Sequence, residues 1–237
     1  MSNSARPIPL FSSPDSPVQP SSWREITIVL GGPLLIFTLV QVFTFFTTHS
    51  LRITDGQLGR LLTFEIVYGF LVAMYLRRRG WRLSTVSLPL AGRDVLRGVG
   101  VWALGYLMCI AGILLAVTMF PTQAISMANM RISGTLAIPM MVLASAINPI
   151  FEEGLWLGYI VNGPARDRPA FAYALSVGSR VLVHIYQGWH AVFVIAPLGA
   201  WFLRYYLRTR RLTPVLLAHG IYDLVGLALL TYFSGSD

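Results

Sequence analysis

The sequence predicts an all-α fold: a polytopic transmembrane bundle of seven or eight helices. Of the 237 residues, 55% are apolar and only 12% are charged, a composition far from that of water-soluble domains. The apolar residues form uninterrupted runs of roughly 20, which is the length a helix needs to cross about 30 Å of hydrocarbon. The runs lack the alternating pattern of strands. We therefore expect helices, and not strands, to cross the membrane.

Seven apolar runs are candidate spans, and a polar segment precedes them. Residues 1–22 are rich in Ser and Pro and cannot bury enough apolar surface to fold, so we expect a disordered tail. Residues 23–237 are then the transmembrane domain, with a functional core at about 136–233. The predicted spans are 25–48, 58–76, 98–120, 136–161, 170–187, 189–206 and 214–233.

The charge of +8 is carried by arginine alone, because the chain contains no lysine. A cytoplasmic N-terminus places fourteen arginines inside and three outside, namely Arg52, Arg60 and Arg131. This asymmetry predicts a multi-pass protein of the cell membrane with a cytoplasmic N-terminus and the lipid bilayer as its surroundings. No nucleic-acid-binding motif is present, so we expect no nucleic-acid partner. The single cysteine excludes an intramolecular disulfide and a cysteine-based metal site.

Seven ionisable residues lie inside the predicted spans at least three positions from a span end. A charged side chain at the centre of a membrane helix costs at least about 2.5 to 3.5 kcal/mol, so each of them requires a partner or a role. Six cluster late in the chain, and Glu65 stands apart, where a structural role between helices is the favoured interpretation. The seven are Glu65, Glu152, Glu153, Arg180, His184, His219 and Asp223.

The two adjacent glutamates follow a proline in the fourth span. Pro149 has no N–H and clashes with the preceding turn, so we expect a kink just before the carboxylates. Neighbouring residues on a helix point about 100° apart. Glu152 and Glu153 therefore have different tasks, with one facing a cavity and the other a neighbouring helix.

Two further pairs have the spacing of one helical turn. His219 and Asp223 are four residues apart and share a face of the last span, and Arg180 and His184 repeat this spacing on the fifth. A carboxylate, two imidazoles and a second acid suffice to activate water and to stabilise an oxyanion. The sequence has no serine nucleophile motif and no His-Glu-x-x-His zinc motif.

The ordered motifs resemble those of the CPBP family of intramembrane glutamic endopeptidases, which includes type II CAAX prenyl proteases and bacteriocin-processing, Abi-like enzymes. In that family a double Glu is followed, after three intervening residues, by Arg and then by Gly. This chain has Glu152, Glu153 and Gly158 in those positions, but Leu157 replaces the Arg.

The two later motifs of the family are Phe-x-x-x-His and His-x-x-x-Asn/Asp. The first is matched at His184 only, because Arg180 replaces the Phe, and the second is matched by His219 and Asp223. The resemblance implies a peptide hydrolase in which Glu152 is the general base for water and His184 assists it. It also implies that His219 and residue 223 polarise the scissile carbonyl, although an ionised Asp223 cannot donate a hydrogen bond.

The two departures from the family pattern suggest a swap of one cation. We hypothesise that Arg180 replaces the missing Arg, pairs with Glu153 across two helices, and holds His184 close to Glu152. The pair Glu153 and Arg180 would then support the catalytic residues.

The expected partner is a membrane-anchored protein or peptide substrate, and no cofactor is expected. Two alternatives stay open. The first is a catalytically silent immunity or scaffold protein of the same fold. The second is a zinc-dependent protease, because Glu, His and Asp are all possible zinc ligands.

Overall fold

The computed structural model describes residues 21–48, 51–81, 92–120, 130–132, 136–185 and 192–234, and these are mostly helical. Most of the predicted N-terminal tail, 1–20, lies outside the described residues. Helix α1 (Trp23–Ile26) continues through a π-helical turn (Thr27–Gly31) into α2 (Gly32–Thr48), and it is followed by α3 (Asp55–Arg78) and α4 (Gly92–Met119). Helix α5 (Ile138–Glu153) likewise continues through a π-helical segment (Gly154–Tyr159) into α6 (Ile160–Asn162). The last helices are α7 (Pro169–His184), α8 (Val192–Thr209) and α9 (Thr213–Ser234).

Counted as continuous rods, these helices correspond one to one with the seven predicted spans, so the prediction of a helical membrane bundle is confirmed. Four segments are long and apolar enough by themselves to cross a membrane: Trp23–Val40, Asp55–Arg78, Gly92–Met119 and Thr213–Phe233. Large apolar side chains are exposed along the rods, as a lipid environment requires; they include Leu35, Phe70, Leu107 and Ile138.

The third rod begins earlier than the apolar run predicts. Helix α4 starts at Gly92, not at residue 98, because its first turn carries a buried acid, Asp94, that has cationic partners. Arg211 lies 2.7 Å from this carboxylate and Arg97 lies 3.4 Å from it. A polar turn stabilised by ion pairs leaves no signal in the pattern of apolar residues.

Contacts between helix ends show that the rods alternate in direction. At one end of the bundle, three pairs join helix termini: Arg79 with Glu25, Arg211 with Asp94, and Arg210 with Asn162. At the other end, the carboxylate of Asp55 accepts a hydrogen bond of 3.1 Å from the N–H of Ala137. The short strands β1 (Leu51–Ile53) and β2 (Met130–Ile132) pair there in parallel. Helices α3 and α5 therefore both start at this second end and run side by side.

Glycines on α4 let the last two helices approach it closely. A Cβ atom at Gly98 would lie 2.9 Å from Cβ of Leu217, and one at Gly105 would lie 2.6 Å from the hydroxyl of Tyr222. Small residues at such contacts allow membrane helices to pack backbone to backbone. This packing fixes α9 between α4 and α5, with His219 and Asp223 in the interior of the bundle.

Candidate active site

A proline and a glycine bring α9 against the two glutamates of α5. Pro149 has no N–H to donate, so the carbonyl of Ser145 one turn earlier lacks its usual helical partner. The backbone of α9 approaches this carbonyl at Gly220, where a Cβ atom would lie only 2.6 Å from the oxygen of Ser145. The residue before Gly220 is His219, which thereby reaches the double-glutamate motif.

Glu153 is fully buried and joins three helices. Arg180 of α7 donates to both of its carboxylate oxygens, with N···O distances of 2.8 and 2.5 Å. Nδ1 of His219 on α9 donates to Oε1 of the same carboxylate at 2.7 Å. The hypothesised ion pair between Arg180 and Glu153 is thus present. Leu157, in the family's Arg position, is fully buried among apolar residues.

Helix α8 provides the space and the surface that Arg180 needs. A Cβ atom at Gly199 would lie 2.8 Å from Cδ of Arg180, so the glycine makes room for the arginine side chain. The guanidinium carbon also lies 5.9 Å from the centre of the Phe202 ring, within the range of a cation–π contact. The arginine at the family's Phe position is therefore accommodated by α8 as well as neutralised by Glu153.

Glu152 has surroundings that differ from those of its neighbour. Its side chain is buried, but Oε2 has no hydrogen-bond partner among the described residues. It lies within electrostatic range of His219 and Asp223. The helix changes to π-helical geometry immediately after Glu153, a local change that is frequent at functional sites. Glu153 is thus held in place by hydrogen bonds, and Glu152 has an oxygen available for chemistry.

His219 lies between two acids. Its Nδ1 faces Glu153, and its Nε2 lies 3.6 Å from Oδ1 of Asp223, which is an electrostatic contact but too long for a good hydrogen bond. The other oxygen of Asp223 accepts a hydrogen bond of 2.9 Å from the side-chain amide of Asn148 on α5. The imidazole ring and the Asp223 carboxyl are therefore both oriented by α5.

His184 is the last residue of α7, and its ring is fixed by the backbone. Nδ1 lies 2.8 Å from the carbonyl oxygen of Arg180, and because a carbonyl only accepts, Nδ1 carries the hydrogen. Nε2 is then the basic nitrogen of the neutral ring. His184 also lies within electrostatic range of Asp223. The structure thus brings together the four predicted catalytic residues from three rods: Glu152, His184, His219 and Asp223.

Glu65 stands apart in the sequence but lies near the same cluster in the structure. Its side chain on α3 is only 2% exposed, and neither carboxyl oxygen has a hydrogen-bond partner in the described part of the chain. It lies within electrostatic range of Glu152, Asp223 and His219. Its distance along the sequence hid this proximity, although its position near the middle of an apolar span was a valid signal.

The described residues contain no group of three or more His, Cys, Asp or Glu side chains placed to hold a metal ion. Within the cluster, Glu153 is bonded to Arg180 and His219, whereas both oxygens of Glu65 and Oε2 of Glu152 have no hydrogen-bond partner among the described residues. The chemistry that this cluster offers is that of proton transfer among carboxyl groups and imidazoles.

Comparison with known proteins identifies the region that carries the cluster. Residues 134–225 match the family model described as type II CAAX prenyl endopeptidase Rce1-like, a match that covers less than half of the chain. No curated protein and no solved structure matches the chain. The matched region includes both glutamates, Arg180 and the residues of both histidine motifs, and it excludes Glu65. Residues 134–225 are therefore similar to the Rce1-like family of type II CAAX prenyl endopeptidases, in agreement with the resemblance of the motifs.

Proposed function

We propose that this protein is an intramembrane endopeptidase of the glutamic type, in which Glu152 and His184 activate a water molecule. The observation that carries the proposal is the contrast between the two adjacent glutamates. Glu153 is bound by Arg180 and His219, whereas Glu152 is buried with a carboxyl oxygen that has no hydrogen-bond partner among the described residues. A carboxylate oxygen without a protein partner can accept a hydrogen bond from a water molecule.

Water activation needs two acceptors in a fixed arrangement. Glu152 accepts one proton of the water, and Nε2 of His184 accepts a hydrogen bond from the other. The bond from Nδ1 of His184 to the carbonyl of Arg180 holds the ring in the tautomer that this role requires. Because Arg180 also binds Glu153, a single residue fixes the position of the histidine relative to the double glutamate.

His219 has the position to stabilise the oxyanion of the tetrahedral intermediate. Its Nδ1 hydrogen is bound to Glu153, so donation from Nε2 requires a ring that carries both protons. The carboxylates of Glu153 and Asp223 on its two sides stabilise such an imidazolium. Asp223 either orients this ring or, when protonated, donates a hydrogen bond of its own. One donor of this kind accelerates acyl transfer by about 100- to 1,000-fold.

The lipid environment and the family match support a proposal for the substrate class. The site is built from helices whose outer faces are apolar and exposed, so we propose a membrane-anchored protein or peptide as the substrate. The family description names a CAAX prenyl endopeptidase, so a farnesylated peptide with a C-terminal CAAX sequence is the first probe to use. We also propose that the end of the bundle with the ion pairs of Arg79 and Arg211 faces the cytoplasm, as the distribution of arginines indicates.

The proposal is tested by proteomics of protein termini in membranes that contain the wild-type protein, Glu152→Gln or Glu25→Gln. Glu25 is a suitable control because it is also a buried glutamate, but it pairs with Arg79 and Tyr159 outside the cluster. We expect new termini with the wild type and with Glu25→Gln, and none with Glu152→Gln. Identical termini in all three membranes would contradict peptidase activity and favour a catalytically silent protein.

A further inference from the structure

Glu65 is a buried acid whose position is set by the parallel packing of α3 and α5. Asp55 at the start of α3 is bonded to Ala137 at the start of α5, and further along a Cβ atom at Gly69 would lie 3.4 Å from the ring of Phe151. Glu65, one turn before Gly69, therefore lies at about the level of Asn148, which holds Asp223. The carboxyl group of Glu65 therefore lies within electrostatic range of Glu152 and Asp223.

The environment of this carboxyl group favours its neutral form. Glu65 is 2% exposed, and neither of its oxygens has a hydrogen-bond partner in the part of the chain that the structure describes. Arg180 binds Glu153, and His219 lies between Glu153 and Asp223, so the nearby cationic groups already have acidic partners. An unpaired carboxylate in such a place is very costly, and a proton removes that cost.

We propose that Glu65 is the general acid of the active site and donates its proton to the amine that leaves during peptide cleavage. This inference rests on the proposed function, because it assigns one more role within the same reaction. The residues assigned so far leave the role of proton donor to the leaving nitrogen open. Glu152 takes up the proton of the attacking water, and Nδ1–H of His184 is held by a backbone carbonyl.

The proton balance of the reaction closes with this assignment. The water oxygen forms a bond to the scissile carbonyl carbon as one of its protons passes to Glu152. The carbon–nitrogen bond then breaks while the neutral carboxyl group of Glu65 protonates the leaving nitrogen. Glu65 is left as a carboxylate and Glu152 as an acid. Transfer of the proton from Glu152 to Glu65, directly or through a water molecule, restores the resting state.

A change of leaving group tests the role of Glu65 separately from folding. The probe is a farnesylated CAAX peptide in detergent micelles, compared with an analogue whose scissile amide is replaced by a thioester. A thiolate can leave without being protonated. An amine can leave only when its nitrogen is protonated. Removal of a general acid usually costs 100-fold or more, so we expect Glu65→Gln to lower kcat for the amide by at least about 100-fold. We expect its kcat for the thioester to fall by less than about 5-fold.

Two matched variants make this result specific. Glu152→Gln should slow both substrates, because each of them needs an activated water, and Glu25→Gln should slow neither. Equal slowing of amide and thioester by Glu65→Gln would overturn the inference and give Glu65 a structural role. Unchanged cleavage of the amide would overturn it as well. Cleavage of neither substrate by the wild type would count against the proposed function with this probe, and not against the protonation of Glu65.

Infrared spectroscopy tests the protonation of Glu65 without a substrate. The C=O stretch of a protonated carboxyl group differs from that of a carboxylate. We expect the difference spectrum of the wild type and Glu65→Gln at neutral pH to show the loss of one protonated-carboxyl band. We expect the same band to be present in Glu25→Gln. A difference spectrum in which only carboxylate bands are lost would overturn the inference, whatever the kinetic result.

Discussion

Nδ1 of His219 lies 2.7 Å from Oε1 of Glu153, the same oxygen that accepts a hydrogen bond from Nη1 of Arg180. One carboxylate thus holds a histidine from α9 and an arginine from α7. The preceding residue, Glu152, points in a direction rotated by about 100° around the helix axis. We assign it to the attacking water. In the proposed mechanism the two glutamates therefore have different roles. Glu153 holds Arg180 and His219 in position, and Glu152 accepts a proton from the water.

We expect His219→Ala to lower kcat by about 100- to 1,000-fold, the usual effect of removing an oxyanion donor. KM should change little, because this donor acts mainly in the transition state. Glu153 keeps its two hydrogen bonds to Arg180 in this variant, so the fold should persist. Steady-state kinetics with the farnesylated probe provide the measurement. A rise in KM with unchanged kcat would instead identify His219 as a residue that binds the substrate.

We expect Glu152→Ala and His184→Ala each to abolish peptidase activity and to leave membrane insertion intact. Both side chains act on the same water, so the double variant should be no less active than either single variant. Activity assays and the amount of protein extracted from membranes provide the two readouts. Full activity of Glu152→Ala would rule out the proposed mechanism. Additive losses in the double variant would show that the two residues act in separate steps.

We expect the activity to survive exhaustive dialysis against a metal chelator. Glu152 and His184 are assigned the activation of water that a zinc ion performs in metalloproteases. The measurement compares kcat before dialysis, after dialysis, and after addition of zinc. An activity that disappears on dialysis and returns with zinc would establish the zinc-dependent alternative.

The sequence predicted the rods and most of the cluster because both leave direct signals. Long apolar runs mark the helices, and ionisable side chains within them mark the interior site. The proximity of Glu65 could not be predicted, because it depends on α3 and α5 running side by side from the contact of Asp55 with Ala137. The place of Gly199 opposite Arg180 likewise follows from tertiary packing, which one sequence does not record.

We expect Gly199→Ala to lower both stability and activity. The new Cβ atom would lie 2.8 Å from Cδ of Arg180, and overpacking of this kind costs about 1 to 3 kcal/mol. The shift of Arg180 would also move His184, which is bonded to its carbonyl group. Gly178→Ala on α7 is the matched control, because among the described residues a Cβ at that position would meet no atom beyond its own helix backbone within 4 Å. Thermal unfolding in detergent should show a lower unfolding temperature for Gly199→Ala and no change for Gly178→Ala. Equal stability of the two variants would contradict the tight packing of Arg180 against α8.

Leu157 and Arg180 exchange one cation between two motifs of the family pattern. Arg180→Leu leaves the buried carboxylate of Glu153 without its cation, and breaking a buried ion pair costs about 3 to 5 kcal/mol. We therefore expect this variant to be strongly destabilised and inactive, in thermal unfolding and in peptidase assays. The double variant Arg180→Phe with Leu157→Arg restores the family pattern by placing the cation one helical turn after Glu153 on the same rod. It should recover much of the stability and activity that Arg180→Leu loses, whereas Arg180→Phe alone should not. A stable and active Arg180→Leu variant, or a double variant that recovers nothing, would show that the two departures from the family pattern are unrelated and that Glu153 is neutralised in another way.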